Sequence, residues 1–310
     1  MENNISCNQN EEKKKGQHLV PRTHLKYFFD KDINNNEFYI ILKDLSKIER
    51  TGTQDECFKK DYFYDIDGES EQFIENYLSN IEKSYTELIN KIIEKTFFKK
   101  DKNKRLLSIY IFTQLIRTEK GQRDLNEYLS VIKDKDKLGK IIENDKKISP
   151  ELKDVFNIFN ENIPRDIYEK NIDKIIKDSS LNLIKQEWHN KNEGKITSLY
   201  KYIENQKFHF IINKTKIPFI TSDHPVYRGI PKETIFIYNM FNKEEVIYFP
   251  ISQEIALVTS KNTFYEEYTE FNESEKNNYF ITELNKLTLS NSNKFIVSPN
   301  KNISFKLKRR

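Results

Sequence analysis

Near residue 205 the spacing of apolar residues changes from three and four positions to two, and no other feature constrains the fold as much. Upstream, Ile74, Leu78, Ile81, Tyr85, Leu88 and Ile92 predict an amphipathic helix over Ser70–Lys95. Ser70 stands as its N-cap, with Phe73 where a capping box would place Glu. A second helix is predicted over Lys104–Ser130, apolar nearly all round from Leu106 to Ile116 and therefore central and buried. Surface-facing helices are predicted around Glu151–Asn160 and Arg165–Asn190. Downstream, Phe208, Phe210 and Ile212 alternate with Lys207, His209 and Ile211, the period of a strand. Pro218–Thr221, Thr234–Asn239, Glu245–Pro250 and Glu254–Thr259 read as further short strands. A helix over Glu273–Ser290 and a strand over Lys294–Val297 close the chain, and Glu37–Leu42 reads as an early strand.

Helices followed by strands predict the α+β class: an N-terminal strand segment and a helical middle packed on a C-terminal antiparallel sheet. There is no internal repeat and no Pro/Gly-rich linker, so one domain is expected over 17–300. A polar tail over 1–16 is expected to be disordered, and a basic tail covers 301–310. An aromatic share of 13% argues that the rest of the chain folds.

The net charge of +4 comes from 52 basic against 48 acidic residues, interleaved as on a solvated surface rather than clustered as on a duplex-DNA reader. Two cysteines, Cys7 and Cys57, form no disulfide framework, and no apolar leader or membrane-length run is present, which predicts a cytoplasmic protein away from membranes. Seven scattered glycines leave no phosphate-cradling loop, so Rossmann and P-loop readings fail. His18, His24, His209, Asp223 and His224 lack a compact ligand spacing, so no cofactor is assigned, with a divalent metal as the minor alternative.

Three stretches carry polar groups where packing does not call for them. In Gln17-His18-Leu19-Val20-Pro21-Arg22, a histidine precedes a Pro-fixed turn and could face a cleft as base or anion donor; the competing reading is a capped surface histidine. Gln114 and Arg117 share one face of the most apolar helix, where a guanidinium either clamps an anion or holds a carboxylate or backbone carbonyls. Phe219–Val226 runs an apolar strand into Thr221-Ser222-Asp223-His224, and Pro225 biases His224 to extended backbone. Asp223 then either projects from a strand end as a catalytic group or caps its own turn.

These blocks, taken in order, resemble the bacterial family known as domain of unknown function 4238. The likeness rests on the Gln17–Arg22 stretch with Leu25, Lys26 and Phe28, on Phe63-Tyr64 before the acidic helix, and on Gln114-Leu115-Ile116-Arg117-Thr118. It continues through Phe219–Val226, Phe249-Pro250-Ile251-Ser252 and Leu284-Asn285, spanning roughly 17–298. His224 departs from it, since Asn is the residue the resemblance leads one to expect there. The resemblance supplies positions and no chemistry.

The expectation is that His18, Gln114, Arg117, Asp223 and Asn285 converge on one cleft suited to hydrolysis or transfer at a phosphate ester. Arg117 would neutralise the anion, Gln114 and Asn285 would orient it, and His18 and Asp223 would move the proton or position water. Arg22, Ser222 and His224 complete the expected substrate-binding set. The concrete form is a nuclease-like effector acting on nucleic acid or a nucleotide, with phage defence as the context the family type implies. The alternative is a non-enzymatic binding or sensor protein whose polar cluster is a structural network or an anion site.

Overall fold

A computed structural model describes residues 14–31, 36–44, 46–65, 72–124, 197–232, 235–262 and 265–301. The helices expected over Glu151–Asn160 and Arg165–Asn190, Ser70 as an N-cap, and Leu125–Ser130 of the second helix lie outside the described residues.

The apolar spacing of the first long helix is realised in α2 (Phe73–Ile93), which follows the short helix α1 (Arg22–Leu25). Its stripe of Ile74, Leu78, Tyr85, Leu88 and Ile92 is buried. The next helix, α3 (Asp101–Arg117), is shorter than expected: it stops at Arg117 because Thr118 turns extended, at φ −82° and ψ 161°. The Thr118 hydroxyl then accepts from Gly121 N at 3.1 Å and caps a new helical segment at 119–124. Glycine is required at that turn, since a Cβ on Gly121 would sit 1.9 Å from the Leu115 carbonyl oxygen. Leu106, on the apolar half of α3, is exposed on the outer face, while Leu107, Tyr110 and Ile111 face the core.

After α4 (Thr197–Glu204), the main sheet is built from β5 (Lys207–Lys214), β7 (Tyr227–Gly229), β8 (Val246–Pro250), β9 (Ile255–Ser260) and β10 (Glu267–Asn272), in the order β10-β5-β9-β8-β7. One pairing departs from the expected antiparallel sheet: β10 runs parallel to β5. Its direction follows from the topology. A chain that leaves β9 and reverses is antiparallel to β9, and so parallel to β5, which itself opposes β9.

The expected alternation along β5 is also lost, since every residue from Phe208 to Asn213 is buried. The sheet is a middle layer. Phe208, Phe210 and Ile212 face the cluster of α2, α3 and α4, while Ile211 faces the cluster of α5 (Ile235–Met240) and α6 (Glu275–Asn291). Of the stretch Thr234–Asn239, expected as a strand, residues 235–239 lie in helix α5 instead. A short apolar run does not fix its own period, and the helical spacing buries both Ile237 and Phe241 against this second cluster.

A second sheet joins distant parts of the chain, in the order β3-β2-β11-β6: β2 (Phe38–Leu42), β3 (Ile48–Thr51), β6 (Thr221–Ser222) and β11 (Phe295–Ser298). Its strand β6 is shorter than the Pro218–Thr221 strand expected there. One face packs on Leu25 and Phe28, the other on Leu289 of α6, so α6 serves both sheets. A third, two-stranded ladder pairs β1 (Gly16–His18) with β4 (Lys59–Asp61). No helix among the described residues is long and apolar enough to cross a membrane.

Candidate functional site

Where β1, the end of α3 and β6 meet, the core carries an unusual density of polar side chains. Arg117 is 1% exposed, and each of its three side-chain nitrogens donates to a protein acceptor. Nη1 meets Glu82 Oε1 of α2 at 2.9 Å, Nη2 meets the His18 carbonyl at 2.6 Å, and Nε meets the Tyr64 hydroxyl at 3.2 Å. Tyr64 in turn donates to the His18 carbonyl at 2.9 Å. Burial by itself would favour the neutral form, but Tyr64 and Glu82 outweigh it and hold the guanidinium firmly charged.

One residue on, Thr118 bridges by its hydroxyl to Nδ1 of His224. The Ser222 hydroxyl donates to the His224 carbonyl at 2.8 Å and accepts from its amide at 3.1 Å. Beside this path His24 is fully buried, with Nδ1 3.3 Å from the Tyr85 hydroxyl and Nε2 3.0 Å from Thr221 Oγ1, its ring stacked on Phe249. A neutral imidazole has one donor and one acceptor nitrogen, which matches those two hydroxyls. Burial lowers the pKa of His24 and of His224 to about 3 each. For His18 burial comes first, then the charge of Lys59, and the value falls to about 4.

The remaining site residues hold backbone. Both carboxylate oxygens of Asp223 accept main-chain amides, Oδ1 from Asn293 at 2.8 Å and Oδ2 from Lys294 at 2.7 Å, and burial raises its pKa despite them. Asn285 of α6 donates to the Pro218 carbonyl at 2.8 Å and accepts from Ile220 N at 3.2 Å, holding the segment that enters β6. Arg22 is exposed and its guanidinium faces the Gln54 side-chain amide. His18, Arg117, Thr118, His224 and Asp223 therefore lie along one connected path, while Asn285 and Arg22 sit on its flanks.

Gln114 differs from all of these. Its amide is fully buried, yet neither its oxygen nor its nitrogen meets a protein partner. Tyr110, one turn earlier on the same helix face, stacks on Tyr85 with centroids 3.7 Å apart, and its hydroxyl is likewise unpartnered. His18 Nε2 is a further buried nitrogen without a partner. Among the described residues no group of three or more His, Cys, Asp or Glu gathers closely enough to hold a metal.

Sequence reasoning gave Glu82, Tyr64 and His24 no place in the site: Tyr64 and Glu82 entered only through the family's blocks, and His24 only in a metal set without compact ligand spacing. Glu82 was legible in one respect: it follows Ile81 at the margin of the apolar stripe of α2, where a carboxylate can reach a buried arginine. His24 carries no such mark, since its partners Tyr85 and Thr221 lie 61 and 197 residues away.

A family model described as protein of unknown function, DUF4238, matches residues 16–302. No curated protein and no solved structure matches the chain.

Proposed function

We propose, for a chain that belongs to the DUF4238 family, that it acts by binding, and that the polar path from His18 to Asp223 is a structural network. The observation that carries this reading is the Arg117 guanidinium, whose three nitrogens are already engaged by Glu82, Tyr64 and the His18 carbonyl. The two N–H groups left over, one on each Nη, belong to a side chain only 1% exposed, whereas an anion clamp needs donors open to the anion. The histidines support the same reading, because a base at about pH 4 or 3 is a poor acceptor at neutral pH.

A second reading, hydrolysis at a phosphate ester by a nuclease-like effector, is favoured by one observation. The unpartnered groups of Gln114 and Tyr110 are buried on the same helix face, and His18 Nε2 is buried without a partner as well; such groups are the usual mark of a missing water or ligand. The two readings separate on purified full-length protein assayed against single- and double-stranded DNA, RNA and p-nitrophenyl phosphate, with and without magnesium or manganese. The binding reading expects no turnover above background. Turnover that disappears in both His18→Ala and Gln114→Leu, with melting unchanged, would reverse the order of the two readings.

A further inference from the structure

Away from this path, a cavity of about 340 Å³ lies between the N-terminal segment, the end of α2, β5, the β8–β9 turn and β10. That size falls in the usual range for small-ligand pockets, roughly 300–1,000 Å³. Four lysines line it, Lys26, Lys31, Lys95 and Lys214, against two carboxylates, Glu254 and Glu270. The carboxylates are taken: Glu254 pairs with Lys31 at 2.5 Å and Glu270 with Lys95 at 2.6 Å. Lys26 and Lys214 have no ion-pair partner among the described residues, and the Lys26 ammonium lies over the Tyr27 ring at 5.1 Å. The lysines outnumber the carboxylates by two, and Lys214 also acts on Glu270 from a distance, so the lining keeps an excess of positive charge.

The body of the cavity is apolar and firmly built. Ile212 and Ile255 are buried in its wall, the Tyr27 ring is half-buried, and Ile93 stands at its edge 56% exposed. The wall is fixed by the Gln253 side chain, which donates to the Phe29 carbonyl at 3.0 Å, and by Gln253 N, which donates to the Tyr27 carbonyl at 3.2 Å. Ser252 accepts the amides of Glu254 and Ile255, which leaves its hydroxyl hydrogen as a donor. Lys95 sits just past α2 in the left-handed region, at φ 54°. Glycine usually fills that place, so a lysine there keeps its side chain against the conformational preference of the backbone.

We propose that this cavity binds a small organic phosphate of mononucleotide size, with the phosphate held between Lys26 and Lys214 and a planar base laid against Tyr27 and Ile93. Two compact ammonium groups suit a phosphate dianion, and an aromatic face beside an aliphatic one suits a base without selecting its sequence identity. The assignment rests on the binding reading above.

The test is calorimetric titration of the full chain with AMP, GMP, CMP and UMP, and with inorganic phosphate alone. At least one nucleotide is expected to bind with Kd below about 1 mM. In the Lys26→Ala/Lys214→Ala double variant that affinity should fall at least tenfold with the melting temperature unchanged, since both side chains lie outside the core. Tyr27→Leu should weaken the nucleotide and leave inorganic phosphate unaffected. The proposal is overturned by no saturable binding up to about 10 mM, by equal binding in the double variant, or by phosphate alone binding as tightly as any nucleotide. Failure to bind in a protein without turnover overturns the cavity assignment and leaves the binding reading standing. Release of phosphate from a nucleotide, lost in His18→Ala and kept in the Lys26→Ala/Lys214→Ala variant, removes both the binding reading and the cavity assignment.

Discussion

The Arg117 guanidinium holds the main-chain carbonyl of His18 at 2.6 Å across 99 residues of sequence. That contact ties β1 to the end of α3, and Tyr64 reinforces it by donating to the same carbonyl. A buried cation here acts as a fastener between segments far apart in the sequence.

Arg117→Met is expected to destabilise the fold by about 3–5 kcal/mol, because it removes three donors at once and leaves the His18 carbonyl with Tyr64 alone. Urea denaturation of parent and variant measures it. A variant as stable as the parent would mean that the arginine is held at a cost to stability, as functional groups are.

Asp223→Asn keeps one acceptor for the amides of Asn293 and Lys294 and turns a donor toward the other. A loss of about 1–3 kcal/mol should follow, read in the same denaturation series.

At Gln114 the expected sign is opposite. Gln114→Leu removes a buried amide with no protein partner, so stability should hold or rise by about 1 kcal/mol. A clear loss would show that the amide is bonded to something that the protein retains, such as an ordered water.

Stability should fall as pH drops below 6.5. His24 and His224 titrate near 6.5 when unfolded and near 3 when folded, so the native state binds fewer protons in between. Their contribution is complete above pH 6.5 and is lost toward pH 3, at about 1.4 kcal/mol per pH unit for each. His18 adds in the same direction. The raised pKa of Asp223 opposes them. Carboxylates with lowered values, such as Glu119, act only at more acid pH, so from pH 6.5 to 5 the slope is that of the histidines less the opposing contribution of Asp223. Melting across that interval should show His224→Asn losing about one proton of the slope.

Gly121→Ala should cost about 1–3 kcal/mol, because the added methyl meets the backbone at Leu115 and cannot be relieved by a side-chain rotation. Thermal melting checks it, and an unchanged midpoint would show that the turn after Arg117 can open.

Among the described elements, the sequence by itself determined the periodic ones. α2, β2, β8, β9, α6 and β11 each lie within a few residues of the segment expected: α2 has a one-sided apolar pattern that the helical period buries, while β8, β9 and β11 are short apolar runs buried along their whole length. The family was legible as well, from short blocks in order. Tertiary structure decided the rest. Whether 235–239 coils or extends, whether β5 has a wet face, and whether α3 runs past Arg117 depend on what packs opposite them. So does the meaning of each polar residue. Arg117 could be read as a clamp or a fastener until Glu82, Tyr64 and the His18 carbonyl were in place, and Lys26 could be read as a solvated charge until Tyr27 and Lys214 lined a cavity with it. The physical reason is the same in each case: burial and hydrogen bonding of a side chain are properties of its neighbours, and those neighbours come from distant parts of the chain.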